Sequence, residues 1–262
     1  MRIATIIKQV PDSNAPIRVS ASGNGIETAG LKMVVDPFDE FGVELAVQLR
    51  EKRNDVAEIV VFTLGPDKAS EAIRTALAMG ADRAVHVNDE SLVTFDEVYA
   101  AAVLASAIRT EGDFDLVLCG KYNIDLDAGA LGPAVAEYLG WPHVGAVTAL
   151  DIEPDGRALV ARRRIEGAEE VIAGSTPAVL TIEKGLVEPR YPSLPNLMKA
   201  KKKPVAVKKA ADLPGLEGLR PALTLESMSP PPPRPACKFI EGEPAQMARE
   251  LVRLLREEAK AI

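Results

Sequence analysis

Residues 58–87 read EIVVFTLGPDKASEAIRTALAMGADRAVHV, and this stretch decides the fold. The run 58–64 is apolar and rich in β-branched and aromatic side chains, the pattern of a strand buried on both faces. Gly65-Pro66-Asp67 then turns the chain, and the proline suits a first helical turn. Ala69, Ile73, Ala76 and Leu77 recur on one face of the helix that follows, and Gly80 is placed to close it. Residues 84–87, AVHV, return as a short strand. Strand, helix and strand joined by tight turns form the unit of a parallel sheet with right-handed crossovers.

The same grammar continues outward. Residues 2–7 form another buried strand. Asp36-Pro37-Phe38-Asp39 opens a helix in which Phe41, Leu45 and Leu49 recur every four residues, and Glu51, Lys52 and Arg53 mark its end. Residues 95–108 predict an amphipathic helix, residues 116–119 (LVLC) a buried strand, and residues 128–139 a helix after a loop at 120–127. From Ala146 the pattern changes. VTALDIEPDG and RALVARRRIEG read as two strands around Pro154-Asp155-Gly156, an antiparallel hairpin. Residues 177–182, PAVLTI, return to the main sheet. Residues 187–240 lack periodicity and are proline-rich, with a polyproline II segment at 230–233. Residues 244–260 predict a terminal helix with Met247, Leu251, Leu254 and Leu255 on one stripe. The expected fold class is α/β: a Rossmann-like parallel sheet with an antiparallel hairpin, an extended C-terminal tail and a last helix.

Composition narrows the function. The 262 residues suffice for one sizeable core and a small second lobe. A net charge of −7 argues against a general nucleic-acid binder, and 4% aromatic residues leave little for base stacking. No apolar run approaches the ~20 residues of a membrane span. The opening MRIATIIKQV is too short for a signal peptide, so a soluble intracellular chain is expected. Cys119 and Cys237 make no disulfide framework. His86 lies within the strand AVHV and His143 in a loop after Trp141-Pro142. Neither has metal-ligand spacing, and no catalytic constellation emerges.

In an open parallel sheet, ligands bind where strand ends run into helix starts. Three such places carry features: Asp36-Pro37-Phe38-Asp39, Thr63-Leu64-Gly65-Pro66, and the loop from Gly120 to Gly132. Small residues at 128–130 leave backbone amides approachable by a phosphate. Asp36, Asp39 and Asp127 are equally suited to capping helices. Residues 187–209, VEPRYPSLPNLMKAKKKPVAVKK, hold six lysines and no acid from Lys199 to Lys209. Leu194 lies between Pro192 and Pro195, with Leu197 and Met198 close behind. Apolar anchors beside a cationic strip suit brief docking of acidic partners.

EPRYPSLPNLMKAKKK (188–203) resembles the recognition loop and flanking lysines of electron transfer flavoprotein β subunits. DPFDEFGVELAVQLRE (36–51), TLGPDKASEAIRTALAMGADRAVHV (63–87) and LVLCGKYNIDLD (116–127) fall in that family's order and spacing. The resemblance runs from Ile3 to about Lys209. It implies a fold of the adenine-nucleotide α-hydrolase type, divided into a nucleotide-binding core (1–186), a partner-recognition segment (187–209) and a tail with a helix docking on an α subunit (210–262). It further implies an obligate heterodimer whose α subunit makes most contacts to a shared FAD. Electrons would pass from flavin dehydrogenases, such as acyl-CoA dehydrogenases of fatty acid oxidation, to an electron-transfer-flavoprotein quinone oxidoreductase. On this likeness the chain is a carrier subunit, not an enzyme, in a bacterial-type cytoplasm.

The resemblance also implies site residues. Leu194 matches the anchor that inserts into the dehydrogenase, flanked by Pro195 and Met198. Lys199 and Lys202 match lysines whose methylation tunes docking in some members. A structural AMP would contact Ile6, Asp36, Pro37, Phe38, Asp39, Leu64 and the loop holding Gly120, Asn123, Asp125, Leu126, Asp127, Gly129, Ala130 and Leu131. The amides of Asn123, Leu126, Gly129, Ala130 and Leu131 are the expected phosphate donors. Members that bind AMP usually carry polar side chains where this chain has Gly129-Ala130-Leu131. The run 131–139, LGPAVAEYL, is also similar to members that hold a second FAD here, oxidise NADH and bifurcate electrons.

Overall fold

The computed structural model describes residues 1–234 and 236–262. Pro235, inside the proline-rich stretch, lies outside the described residues. The chain divides into two compact units, Met1–Met228 and Ser229–Ile262.

The first unit is built in chain order from β1 (Arg2–Ile6), β2 (Gln9–Pro11), β3 (Met33–Val35), α1 (Pro37–Lys52), β4 (Glu58–Leu64), α2 (Ser70–Met79), β5 (Arg83–Val87), α3 (Glu97–Thr110), β6 (Leu116–Gly120), α4 (Leu131–Leu139), β7 (His143–Ile152), β8 (Ala158–Ile165), β9 (Ala168–Ser175), β10 (Ala178–Ile182), α5 (Leu194–Ala200) and β11 (Val205–Lys208). Among the described residues the main sheet runs β11-β5-β4-β1-β6-β10-β7-β8-β9. It is parallel from β11 to β7, and β8 and β9 are antiparallel. β2 and β3 form a separate antiparallel pair.

Strand side chains alternate between two faces, which explains the continuous apolar runs. Ile3, Ile59, Val61, Leu116 and Leu118 pack with Phe41, Leu45, Ile73 and Leu77 of α1 and α2. Their neighbours Ala4, Val60, Phe62 and Val117 pack with Val103, Leu104, Ile108 and Val135 of α3 and α4. Two apolar layers thus sandwich the sheet. The strand order reverses between β1 and β6: β4 and β5 build outward on one side, β6 and β10 on the other. Such a switch point opens a crevice at the carboxyl ends of the strands.

Several elements differ from the sequence reading. The hairpin is a three-stranded meander, because Gly167 turns the chain at φ +72° and β9 pairs along the whole of β8. Residues 205–208, read as aperiodic, form an edge strand in register with residues 84–87. α4 starts at Leu131, not near Ala128. Asn123 N donates to Ala128 O and Asp127 has φ +51°, so the preceding residues are held in a turn. α3 starts at Glu97 because Asp96 caps it, accepting from the amides of Val98 at 2.9 Å and Tyr99 at 3.2 Å. His143 opens β7 and does not lie in a loop.

The second unit contains α6 (Pro244–Glu257), with a proline in its first turn and no buried residue. Met247 and Leu251 are exposed, and Arg253 pairs with Glu250 and Glu257 along the helix. Among the described residues no helix is long and apolar enough to cross a membrane.

Candidate functional site

The crevice at the switch point is a cavity of about 290 Å³. Its walls include Ile6 from the end of β1, Leu64 from β4, Gly120 from β6, and Val93, Thr94, Phe95 and Glu97 ahead of and at the start of α3. Of the residues expected to hold a nucleotide, Ile6, Asp39, Leu64, Gly120, Asn123, Asp125, Leu126, Gly129 and Leu131 line it. Asp36, Pro37, Phe38, Asp127 and Ala130 do not.

Asp36 is the N-cap of α1: its Oδ1 accepts from Phe38 N at 2.9 Å, and its Oδ2 accepts from Ile124 N at 2.8 Å. Pro37 occupies the first helical turn, where its missing N–H costs nothing. Asp39 accepts from Lys8 N at 2.7 Å and Gly120 N at 2.9 Å. The two carboxylates therefore pin the ends of β1 and β6 to the start of α1. Burial pushes Asp39 well above the usual carboxylate range, with the Asp36 charge adding to it and the two amides opposing it. Burial raises Asp36 as well, against the amides of Ile124 and Phe38.

Close approach is built into the same corner. A Cβ on Gly120 would lie 2.7 Å from Phe38 Cβ and 2.9 Å from Asp39 Oδ1, so no larger residue lets β6 reach α1. At Gly132 it would lie 2.1 Å from Thr181 Cγ2. Phe38 stacks on Tyr122 with ring centroids 4.2 Å apart. Cys119 is fully buried, which raises its thiol far out of the reactive range, and it serves as core.

The expected phosphate donors are partly in use. Asn123 N donates to Ala128 O, Leu126 N to Asn123 Oδ1, and Ala130 N to Glu97 Oε2 at 2.6 Å. The amides of Gly129 and Leu131 make no hydrogen bond among the described residues. Glu97 was not legible as a site residue, since an acid in a first helical turn ordinarily just suits the helix dipole. Lys8, which pairs with Asp125 at 2.7 Å on the rim, also gave no signal.

The docking candidates lie elsewhere in the same unit. Leu194 is 78% exposed and Met198 62% exposed on α5, a helix capped by Ser193 and carrying Pro195 in its first turn. Both ends of the segment are braced. Arg190 reaches α1, where its guanidinium meets Glu44 at 2.8 and 2.9 Å and Glu51 at 2.6 and 2.9 Å. Burial alone would raise Glu44, yet the bonds from Arg190 and Gln48 leave it below its ordinary value. Lys203 Nζ donates to the carbonyls of Leu77 at 2.9 Å and Ala81, at the end of α2. Lys208 pairs with Glu111. Lys199, Lys201 and Lys202 are exposed and have no carboxylate partner among the described residues. The lysine run is thus divided between structure and solvent.

Comparison with known proteins bears directly on this arrangement. Residues 24–213 match the model of the electron transfer flavoprotein domain. The electron transfer flavoprotein subunit beta of Bacillus subtilis is 37% identical over the full length of both chains. That of Homo sapiens is 39% identical over 98% of this chain and 97% of its own. That of Bradyrhizobium diazoefficiens is 41% identical over 81% of this chain and 83% of its own. With the switch-point cavity and the exposed leucine segment already in place, these likenesses agree, and the chain belongs to the electron transfer flavoprotein β-subunit family.

Proposed function

We propose that the chain works with an α subunit as a heterodimeric electron shuttle around a shared FAD. It takes electrons from flavin dehydrogenases of the acyl-CoA dehydrogenase type, in fatty acid oxidation, and delivers them to an electron-transfer-flavoprotein quinone oxidoreductase. It is a cytoplasmic carrier subunit, not an enzyme. Bound FAD supplies the one- and two-electron chemistry, while the protein's part is positioning and partner choice.

The observation that carries this reading is Leu194, a large apolar side chain 78% exposed on a segment held by Arg190 and Lys203. An apolar residue raised on a rigid base costs little ordering entropy when a partner covers it. Beside it, the exposed Lys199 and Lys202 attract an acidic partner surface and speed the encounter. The exposed stripe of α6 supports a second role, in gripping the α subunit, so deletion of residues 230–262 should weaken the heterodimer.

The cavity takes a structural AMP in this reading. Ile6, Leu64 and Leu104 offer apolar wall to the base, and the amides of Gly129 and Leu131 offer donors to the phosphate. About 290 Å³ lies just below the usual span of small-molecule pockets, ~300–1,000 Å³, which favours a mononucleotide over a dinucleotide. A second reading, an electron-bifurcating subunit with a second FAD that oxidises NADH, draws support from the apolar Gly129-Ala130-Leu131. Denaturing the purified heterodimer and quantifying the released groups separates the two. One FAD and one AMP is the expected result, and two FAD without AMP would favour bifurcation. A self-sufficient monomer releasing neither would end the proposal.

A further inference from the structure

β11 is the outermost strand on its side of the main sheet, and its outer edge is bare. Ala84 N donates to Pro204 O and Asn88 N to Lys208 O, so the backbone groups of Pro204, Ala206 and Lys208 face β5. Those of Val205 and Val207 point the other way, and among the described residues they make no hydrogen bond. The two valine side chains are 42% and 55% exposed. They stand in register with Ala84 and His86, on the α2 side of the sheet. There they border a groove of about 530 Å³ whose walls include Ile73, Arg74, Leu77, Ala200, Lys201 and Lys203.

The charge at this edge is mostly positive, although the chain as a whole carries −7. Arg74 and Lys201 have no carboxylate partner among the described residues. Lys203 Nζ is held by carbonyls, which leave its charge uncompensated. Asp67, the acid on the groove, accepts from the side-chain amide of Asn88. An exposed strand edge is a template for pairing, and lysines guard such edges against their own copies. Two copies of this edge would bring lysine to lysine. The guard that excludes a second copy admits a segment of opposite charge.

We propose that the outer edge of β11 takes an extended, acidic segment of a partner protein by strand addition. Main-chain bonds to Val205 and Val207 supply affinity, and the groove supplies selection, since every second side chain of the added strand falls over it. Apolar side chains there cover the two valines, and acidic ones meet Arg74 and Lys201. The site differs from the Leu194 anchor in what it reads: backbone and charge here, a single apolar side chain there.

The test uses the intact heterodimer and two capped, labelled octapeptides, one alternating valine with glutamate and one alternating valine with lysine. Binding is followed by fluorescence anisotropy, and hydrogen exchange is read over residues 204–209. The glutamate peptide is expected to bind and to slow exchange of the Val205 and Val207 amides, while the lysine peptide does not bind. Reversing charge with Arg74→Glu and Lys201→Glu together should weaken the glutamate peptide about tenfold or more. Val207→Pro removes one outward donor and leaves Ala206 and Lys208 to hold β5, so it should weaken the same peptide. Should that variant fail to fold, the charge reversal on the surface decides. Equal binding of both peptides, no binding of either, or binding that leaves Val205 and Val207 unprotected would overturn the proposal. So would binding that survives the charge reversal unchanged, or that disappears in Leu194→Ala. Heterodimers that associate with one another, and cease to in Val207→Pro, would give the edge to a second copy and overturn it as well.

Discussion

The two ends of α1 differ in what their carboxylates do. At the N-terminal end, Asp36 and Asp39 accept from backbone amides and, among the described residues, meet no cation at hydrogen-bond distance. Further along, Glu44 and Glu51 hold the fork of Arg190 and through it the exposed leucine segment. Burial raises the first pair above the ordinary aspartate range, and charge pairing lowers the second pair below the ordinary glutamate range. One helix thus anchors the cavity loops with hydrogen bonds and the exposed leucine segment with ion pairs. The cavity end is a matter of satisfied amides, and the Arg190 end a matter of charge.

Removing an amide acceptor should have the largest effect. Asp39→Ala leaves the half-buried N–H groups of Lys8 and Gly120 unpaired, at ~1–3 kcal/mol each when fully buried, so a loss of about 3 kcal/mol is expected. Chemical denaturation of the heterodimer should show it, along with loss of the adenine nucleotide proposed for the cavity. A stable variant with full nucleotide content would break the distinction at the cavity end. Arg190→Ala should cost less, about 2 kcal/mol, because the guanidinium is partly solvated although Glu44 is buried. Limited proteolysis should then cut within 190–203 while the content of the proposed nucleotide stays unchanged. Arg190→Lys should rescue only in part, since lysine cannot bridge two carboxylates with a planar fork.

Acid should separate the ends most gently. The lowered Glu44 and Glu51 contribute stability above the usual glutamate value, ~4.3, and lose it as pH falls through their folded values. The raised Asp36 and Asp39 behave oppositely: their contribution is complete below the aspartate value, ~3.9, and declines as pH rises through their folded values. Hydrogen exchange near pH 4 should therefore show residues 190–203 opening before residues 36–39 and 120–130. Simultaneous opening would contradict the division.

Much of the buried scaffold was legible because burial writes itself as apolar runs. Residues 58–64 were read with the bounds that β4 has, and Asp36-Pro37 marked the start of α1. β9 and β11 were not legible. β9 carries Glu169 and Glu170 in a strand with little burial, and β11 has only Val-Ala-Val beside lysines, with two of its side chains, Val205 and Val207, exposed. An exposed edge strand is set by backbone pairing with its neighbour, which leaves no periodicity to read. The cavity loops were found because glycines and aspartates follow strand ends. Glu97 was missed because its partners, Asn123 and Ala130, come from another loop, and no local pattern announces a carboxylate that reaches across. The division of the lysine run into braces and free charges likewise depends on contacts far apart in sequence.

The most direct test of the central claim is Leu194→Ala in the intact heterodimer. Flavin and AMP content would be measured together with the rate of flavin reduction by an acyl-CoA dehydrogenase in rapid mixing. Unaltered cofactor content with reduction slowed about tenfold, equivalent to ~1.4 kcal/mol at the docking step, is the result predicted. Reduction at the wild-type rate would contradict the account.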